Sequence, residues 1–521
     1  MTSSTPDLPA GRVSRLPVFA LGLAILAIGI VLRILPIGRE GFWYDEMFAA
    51  SYTNLSVIQT FIAVLRFEIH PPLFYMQLTA WSGLGHSDTW LMLNSVTWSS
   101  VTLISIAVFA GRRFGRQAGL AAMAVCAFLG SEIYFAGELR QYAMLCAVAT
   151  LTWAAAEHFL ANRSFKGALP LGIALFPMAA MHSAASLIML SGLVLYLFPY
   201  ASLLNKTRQR TELWRWLRIS VLAGVAMLPW LINANFRSIS HTHNASLADG
   251  AHTVGGWILG YGDAFMSPTP YAVVAIALGA ALLVSAWAVR EVRRLAVCMV
   301  FWPLFFGMVL SIAIRPIWLD RVFAFCAPFA AIVLGAALVQ LFEKCRQPAA
   351  RTLLSVILAA CAIGCAWAAW QQAIEPRKTQ YRELAADIIA HKADGEFVYV
   401  PDNIIYWGVA RYLVGPEWGS MLEVQDPERA DSSEAWRKIY ARLGTQKLNW
   451  LGLLPRTRQV DSPAGPLIIG WSPVPAMQTA KRFWLVGNNG LNPADLISCP
   501  QHLVSTRKYT GLQLHHVTCM R

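Results

Sequence analysis

Runs of about twenty apolar residues recur along the first 373 residues of this 521-residue chain and constrain its fold more than any other feature. A helix needs about 20 such residues to cross the hydrocarbon core of a bilayer. Charged residues make up only 14% of the chain, against about a quarter in an ordinary soluble domain. The sequence therefore predicts a polytopic α-helical membrane protein with about eleven transmembrane helices. The predicted spans are 16–36, 89–110, 117–135, 140–160, 167–182, 183–203, 214–234, 269–289, 294–315, 319–342 and 350–373.

The charges of the loops predict the orientation. Loops on the inner side of a membrane are enriched in Lys and Arg. With Arg12 and Arg15 inside, the basic groups at 112–116, 206–218 and 290–294 also fall inside, whereas most acidic residues fall outside. The same rule accounts for the net charge of +13 better than a nucleic-acid surface does. We therefore expect the N-terminus inside and the C-terminus outside.

The composition divides the chain into two predicted domains. Residues 1–374 form the transmembrane domain, with a first outer loop at 37–88 in which residues 71–84 form a helix along the outer membrane surface. Residues 375–521 have soluble composition and form an extracytoplasmic α/β domain. Its predicted helices are 379–391 and 403–414, and its predicted strands are 396–400, 449–454, 466–471, 482–487 and 515–519. Cys499 and Cys519 lie in this domain and could pair in an oxidising compartment.

Polar residues that could perform chemistry gather at the predicted outer ends of the spans. Acids and cations at a membrane face indicate a functional site. Each motif also has a purely structural interpretation: an interfacial aromatic belt beside water-facing acids, a helix start, or a turn in which Arg and Glu neutralise each other. The candidates are Asp45, Glu46, His70, Glu138, Arg140, Tyr142 and Arg321.

Five motifs in a fixed order carry a resemblance to a known family. They are WYDE at 43–46, HPPL at 70–73, GRRFG at 111–115, ELRQYAM at 138–144 and WLDR at 318–321. In this order they resemble the GT-C class of bacterial membrane glycosyltransferases and are similar to glycosyltransferase family 39. That family includes protein O-mannosyltransferases and lipid A aminoarabinose transferases. The family often has Arg-Tyr where this chain has Arg321-Val322.

The resemblance implies a role for each candidate residue. Asp45 matches the catalytic base. Glu46 and His70 match positions near the donor, and together with Asp45 they could hold a divalent cation such as Mg²⁺ or Mn²⁺. Arg140 and Tyr142 match the Arg and Tyr positions of the turn at the fourth span, and Glu138 beside them is predicted to bind substrate as well. Arg321 matches a basic residue near the lipid phosphate, where guanidinium groups bind bidentately.

The resemblance also implies the reaction and the partners. The donor is a polyprenyl-phosphate sugar, so no nucleotide fold is needed, and no Gly-rich phosphate loop follows the predicted strands. The acceptor is a hydroxyl on a lipid, a glycan or a protein, and the transferred group is a hexose or a pentose. The location is the bacterial cytoplasmic (inner) membrane with the site facing the periplasm. A lipid-linked glycan flippase and a non-catalytic receptor are the alternatives. Ionisable residues at span ends rather than at mid-membrane disfavour the flippase.

Overall fold

The structure is a computed structural model. It describes residues 15–162, 165–201, 245–261, 268–314, 316–401, 403–415, 457–462, 465–470, 480–497, 499 and 501–520. Its helices α1–α11 are Arg15–Ile34, Tyr44–Ser51, Val57–Phe67, Leu73–Ser82, Asp88–Ser105, Gly111–Phe114, Arg116–Ala127, Gly130–Ala136, Tyr142–Ala161, Phe165–Ala179 and Ser183–Ala201. Helices α12–α19 are Leu247–Leu259, Pro268–Ala288, Arg290–Ala296, Trp302–Ala313, Cys326–Lys344, Pro348–Ile374, Tyr381–His391 and Asn403–Leu413.

The apolar runs form the membrane-type helices that the sequence predicts. Within the described residues, six helical segments are long and apolar enough to cross a bilayer: Asp88–Phe114, Tyr142–Ala161, Pro268–Ala288, Arg290–Ala313, Cys326–Lys344 and Pro348–Ile374. If the bent pair α7 and α8 is counted as one span, the same residues contain a seventh. Shorter apolar helices occupy the predicted spans 16–36, 167–182 and 183–203. The predicted span 214–234 lies outside the described residues. The described residues thus confirm a multi-pass helical protein but not the number eleven.

The predicted span 117–135 is broken rather than straight. Helices α7 and α8 meet at an angle of 66° around Phe128 and Leu129. A break leaves backbone carbonyls without helical partners, and in a membrane these must be satisfied within the protein. The fully buried Arg33 of α1 supplies the donors. Its guanidinium donates to the carbonyls of Cys126 and Ala127 at 3.1 Å each, and to the hydroxyl of Ser99 at 2.7 Å.

Arg33 is therefore expected to be a large stability determinant. Arg33→Met removes the guanidinium hydrogen bonds to the buried carbonyls of Cys126 and Ala127, and hydrogen bonds to a charged group contribute about 1.5–3 kcal/mol each. We expect the variant to lose about 3 kcal/mol of unfolding free energy, measured by thermal unfolding in detergent. Arg116→Met, at an exposed position of α7, is the matched control and should unfold like the wild type. Equal unfolding temperatures for the two variants would contradict this role for Arg33.

The first outer loop folds into a compact helical cap. Residues 71–84, predicted to be helical, contain α4, which packs on α3. Its Phe74 and Tyr75 are fully buried against the protein rather than facing a membrane interface. The Tyr75 ring lies 4.8 Å from that of Tyr52, and the hydroxyls of Thr60 and Thr79 are 2.9 Å apart. This cap holds the start of the loop, residues 42–51, against the bundle.

The C-terminal part is a mixed α/β unit, as predicted. In the described part of this unit, six strands in the order β2-β3-β1-β4-β6-β5 form one sheet, in which the short β1 is parallel to both β3 and β4 and the other pairs are antiparallel. The strands are β1 Val398–Val400, β2 Thr457–Ser462, β3 Gly465–Gly470, β4 Arg482–Asn488, β5 His502–Tyr509 and β6 Leu512–Cys519. Strands β2 and β5 were not predicted, and the predicted strand 449–454 lies outside the described residues. Cys499 and Cys519 form a disulfide with a Cα–Cα distance of 5.9 Å.

The C-terminal unit contacts the first outer loop directly. Arg411 of α19 pairs with Asp88 at 2.5 Å, and the hydroxyl of Tyr412 donates to the same carboxylate at 2.9 Å. The backbone N–H of Phe42 donates to the Tyr412 hydroxyl at 2.6 Å. The guanidinium of Arg411 also covers the Phe42 ring, 4.8 Å from its centroid. These contacts fix the residues just before the WYDE motif.

Candidate active site

The two neighbouring acids of the WYDE motif have different environments. Both lie in the first turn of α2. The Asp45 carboxylate is partly exposed and forms an ion pair with Arg321 at 3.0 Å. Glu46 is fully buried; it accepts the backbone N–H of Trp43 at 3.1 Å and the ammonium of Lys378 at 2.6 Å. Asp45 is therefore available to a substrate, whereas Glu46 is enclosed by protein donors.

The ELRQY turn, residues 138–142, packs directly against α2. Its Leu139 N–H donates to Glu46 at 2.7 Å, and the Arg140 guanidinium donates to the backbone carbonyl of Asp45 at 3.2 Å. Glu138 is buried, and burial, reinforced by the negative charge of Glu46, raises its pKa to about 7. The turn thus places a guanidinium and a second acid beside Asp45.

Two histidines extend the site on the other side. The His70 and His182 rings lie 4.2 Å apart between centroids. Burial, together with the nearby cations Arg321 and Arg140, lowers the pKa of His182 to about 3. Burial also lowers the pKa of His70. Both imidazoles are therefore neutral at physiological pH. The Tyr142 ring connects this pair to the cations, because it lies 6.1 Å from the His182 ring and 6.0 Å from the Arg321 guanidinium.

Arg321 is carried by a short 3₁₀ turn, Asp320–Phe323, that α12 holds in place. The Asp320 carboxylate accepts the Thr253 hydroxyl at 2.6 Å and lies 2.9 Å from Nδ1 of His252. The pKa of His252 is raised, chiefly by this hydrogen bond to Asp320. The Trp318 indole donates to the Thr253 hydroxyl at 3.2 Å. This network fixes the backbone from which Arg321 reaches Asp45.

The structure brings the predicted candidates together at one end of the helical bundle. Asp45, Arg140, Tyr142 and Arg321 form one contiguous group, with His70 at its edge. Glu46 in α2 and Glu138 in the turn that follows α8 are buried next to this group. Their roles in a reaction stay predictions.

Sequence reasoning did not assign three residues that the structure places here. Glu68 accepts the backbone N–H of Ile69 at 2.8 Å, and burial raises its pKa against the opposing influence of Arg140. His182 lies at the end of the predicted span 167–182, where an interfacial histidine is common. Lys378 follows the last apolar run by four residues, where it resembles an ordinary positive flank. No local pattern distinguishes these residues, because the site residues they interact with are distant in sequence: Arg140 for Glu68, His70 for His182 and Glu46 for Lys378.

The donor set does not fit a metal site. Within the part of the chain that the structure describes, no group of three or more His, Cys, Asp or Glu side chains is placed to hold a metal ion. Asp45 and Glu46 face Arg321 and Lys378, respectively, rather than each other. The His70 ring packs against the His182 ring at an interplanar angle of 44°.

A bundle of apolar helices that gathers carboxylates and guanidiniums at one end, followed by a small mixed sheet, has the fold of the GT-C class of membrane glycosyltransferases. Two solved structures of ArnT from Cupriavidus metallidurans share this fold at 12% sequence identity, over 97% of this chain and 98% of that one. The TM-score is 0.53 for the apo state and 0.51 for the form bound to undecaprenyl phosphate.

A more distant likeness is to an oligosaccharyltransferase from Archaeoglobus fulgidus, with 13% identity over 75% of this chain and 61% of that one and a TM-score of 0.46. No protein-family model and no curated protein sequence matches the chain.

Proposed function

We propose that the protein is an integral-membrane glycosyltransferase that moves a sugar from a polyprenyl-phosphate donor to an acceptor hydroxyl. The observation that carries this proposal is the contact between Asp45 and Arg321 beside Arg140, at the ends of membrane-type helices. The same fold in ArnT bound to undecaprenyl phosphate supports a lipid-linked donor. The lipid tail of such a donor stays in the bilayer while its phosphate lies at the membrane surface. The cations that bind the phosphate must therefore lie at helix ends, and Arg140 and Arg321 do so.

The orientation and the domain division belong to the same proposal. Eleven spans with the N-terminus inside and the C-terminus outside place Asp45 on the periplasmic face of a bacterial inner membrane. Residues 1–374 then form the catalytic transmembrane domain, and residues 375–521 form an extracytoplasmic domain above it. The basic loops that remain on the opposite side support this orientation.

In the proposed reaction Asp45 acts as the general base. Its carboxylate takes the proton from the acceptor hydroxyl as the oxygen attacks the anomeric carbon. The bond from that carbon to the lipid-phosphate oxygen breaks, and the electron pair leaves with the phosphate. One direct displacement of this kind inverts the anomeric configuration. The leaving phosphate gains about one negative charge.

Arg321 and Arg140 are the proposed phosphate-binding cations. Guanidinium groups that interact more strongly with the departing phosphate than with the intact donor lower the activation barrier. Glu46, His70, Glu138 and Tyr142 are proposed to shape the pocket for the donor head group. His70 and His182 are held neutral by burial, so each imidazole can donate one hydrogen bond to a sugar hydroxyl and accept another without adding charge.

The test uses the purified protein in proteoliposomes. Undecaprenyl phosphates carrying radiolabelled hexoses or pentoses are incubated with it and with extracts that supply lipid, glycan and protein acceptors. We expect label to move to an acceptor. Movement of the intact labelled lipid across the bilayer without transfer would instead support the flippase. Absence of both would leave the receptor interpretation and overturn the proposal.

A further inference from the structure

Lys378 joins the C-terminal unit to the candidate active site. It lies just after α17, which ends at Ile374, and it is buried. Its ammonium donates to the Glu46 carboxylate and to the carbonyl of Gly137, both at 2.6 Å. The backbone N–H groups of Arg377 and Lys378 donate to one Glu40 oxygen, the latter at 2.7 Å. The segment that leaves the last membrane-type helix is thus anchored to the first outer loop at both ends of the WYDE region.

Glu46 links the two segments that carry the proposed machinery. Its carboxylate accepts backbone N–H groups from Trp43 and from Leu139. Asp45 is its sequence neighbour, and Arg140 follows Leu139 and donates to the Asp45 carbonyl. The position of this one carboxylate therefore sets the spacing between the proposed base and the proposed phosphate-binding turn.

The charge of Lys378 keeps that carboxylate in place. Burial raises the pKa of Glu46, and the ammonium of Lys378 opposes this by stabilising the ionised form. An ionised carboxylate without its counter-charge would be strongly disfavoured at a fully buried position. Loss of Lys378 is therefore expected to displace or neutralise Glu46.

We infer that Lys378 is a positioning residue: through Glu46 and the Gly137 carbonyl it aligns Asp45 with Arg140, so that assembly of the site depends on the segment entering the C-terminal unit. This inference rests on the proposed function, because the role of Asp45 as base belongs to that proposal.

The experiment compares Lys378→Met and Lys378→Arg in the full-length protein, with Lys508→Met, an exposed lysine of β5, as matched control. Turnover and KM are measured with the labelled undecaprenyl-phosphate sugar that the wild type uses. Hydrogen exchange is measured at the amides of Trp43 and Leu139. Misplacement of a reacting group by about 1 Å costs about 100-fold. We expect Lys378→Met to lower turnover by about that factor with KM nearly unchanged.

Hydrogen exchange and rescue give readouts that general unfolding would not produce. In Lys378→Met, exchange should accelerate about tenfold at Trp43 and Leu139 and stay unchanged in α16. Lys378→Arg should regain much of the turnover, and Lys508→Met should match the wild type. Unchanged turnover or unchanged exchange at these two amides in Lys378→Met would overturn the inference.

A double variant keeps the test decisive if Lys378→Met does not fold. Glu46→Gln/Lys378→Met removes both buried charges, so it should fold and still show the loss of turnover. Full turnover in this double variant would mean that only charge balance matters, and would overturn the positioning role. If the wild type transfers no sugar, the proposed function fails, and exchange at Trp43 and Leu139 still decides whether Lys378 couples the two segments.

Discussion

Asp45→Asn is expected to lower transfer turnover by about 10³-fold or more while the protein stays folded. The amide keeps the size of the side chain but cannot accept the proton of the acceptor hydroxyl. The ion pair with Arg321 is partly exposed on both sides, and such pairs contribute only about 0–1 kcal/mol to stability. The unfolding temperature should therefore change by no more than a few degrees. Turnover under saturating donor and thermal unfolding in the same detergent measure the two effects.

Asp387→Asn is the matched control for this prediction. Asp387 of α18 also pairs with an arginine, Arg507, and accepts the Tyr509 hydroxyl, but within the C-terminal unit. The same chemical change there should leave turnover at the wild-type level. If Asp45→Asn keeps more than about a tenth of wild-type turnover, Asp45 is not the base.

The helices were predictable from the sequence because membrane insertion imposes a length and an apolar composition that any helix must meet. The break at Phe128 and Leu129 was not predicted, because the overall composition of residues 117–135 also fits one continuous span. It depends on Arg33, which lies far away in the sequence and donates to the buried carbonyls of Cys126 and Ala127 at the break. Composition thus indicates where helices lie but not where a distant donor allows one to bend.

The strands of the C-terminal unit show the same distinction. Strand β4, RFWLVGN, is buried along its centre. Its continuous apolar run is typical of a buried strand. Strand β5, HLVSTRKY, lies at the sheet edge with most residues exposed, so burial selects no alternating pattern there. Strand β2, TRQVDS, is also an edge strand of polar composition. Edge strands are held by backbone pairing that the side-chain pattern does not reveal.

The candidate site was predicted as a list of residues by resemblance, not as a geometry. Asp45 and Arg321 are 276 residues apart, and nothing in the spacing of either motif predicts their contact. Lys378 was absent from the list because its function depends entirely on where the chain leaves α17. Long-range ion pairs of this kind are determined by tertiary packing, which a single sequence does not encode locally.

Arg321→Gln is expected to affect both donor binding and chemistry. Loss of a cation aimed at the leaving phosphate typically costs about 10²–10³-fold in turnover. Because the phosphate is charged before the reaction as well, the Kd for undecaprenyl phosphate should also rise, by about tenfold. Asp45→Asn should leave that Kd nearly unchanged, so the two variants separate the phosphate-binding role from the base role. Arg321→Lys keeps the charge but loses bidentate geometry and should fall between wild type and Gln.

The measurements for Arg321 are turnover under saturating donor and equilibrium binding of undecaprenyl phosphate, with Arg507→Gln as control. Arg507 pairs with Asp387 on the exposed surface of the C-terminal unit, so its loss should change neither quantity. The dependence of the Kd on salt gives a further check, since a lost phosphate contact weakens the electrostatic part of binding. If Arg321→Gln binds undecaprenyl phosphate as tightly as the wild type, the phosphate lies elsewhere, and Arg321 acts only as the partner of Asp45.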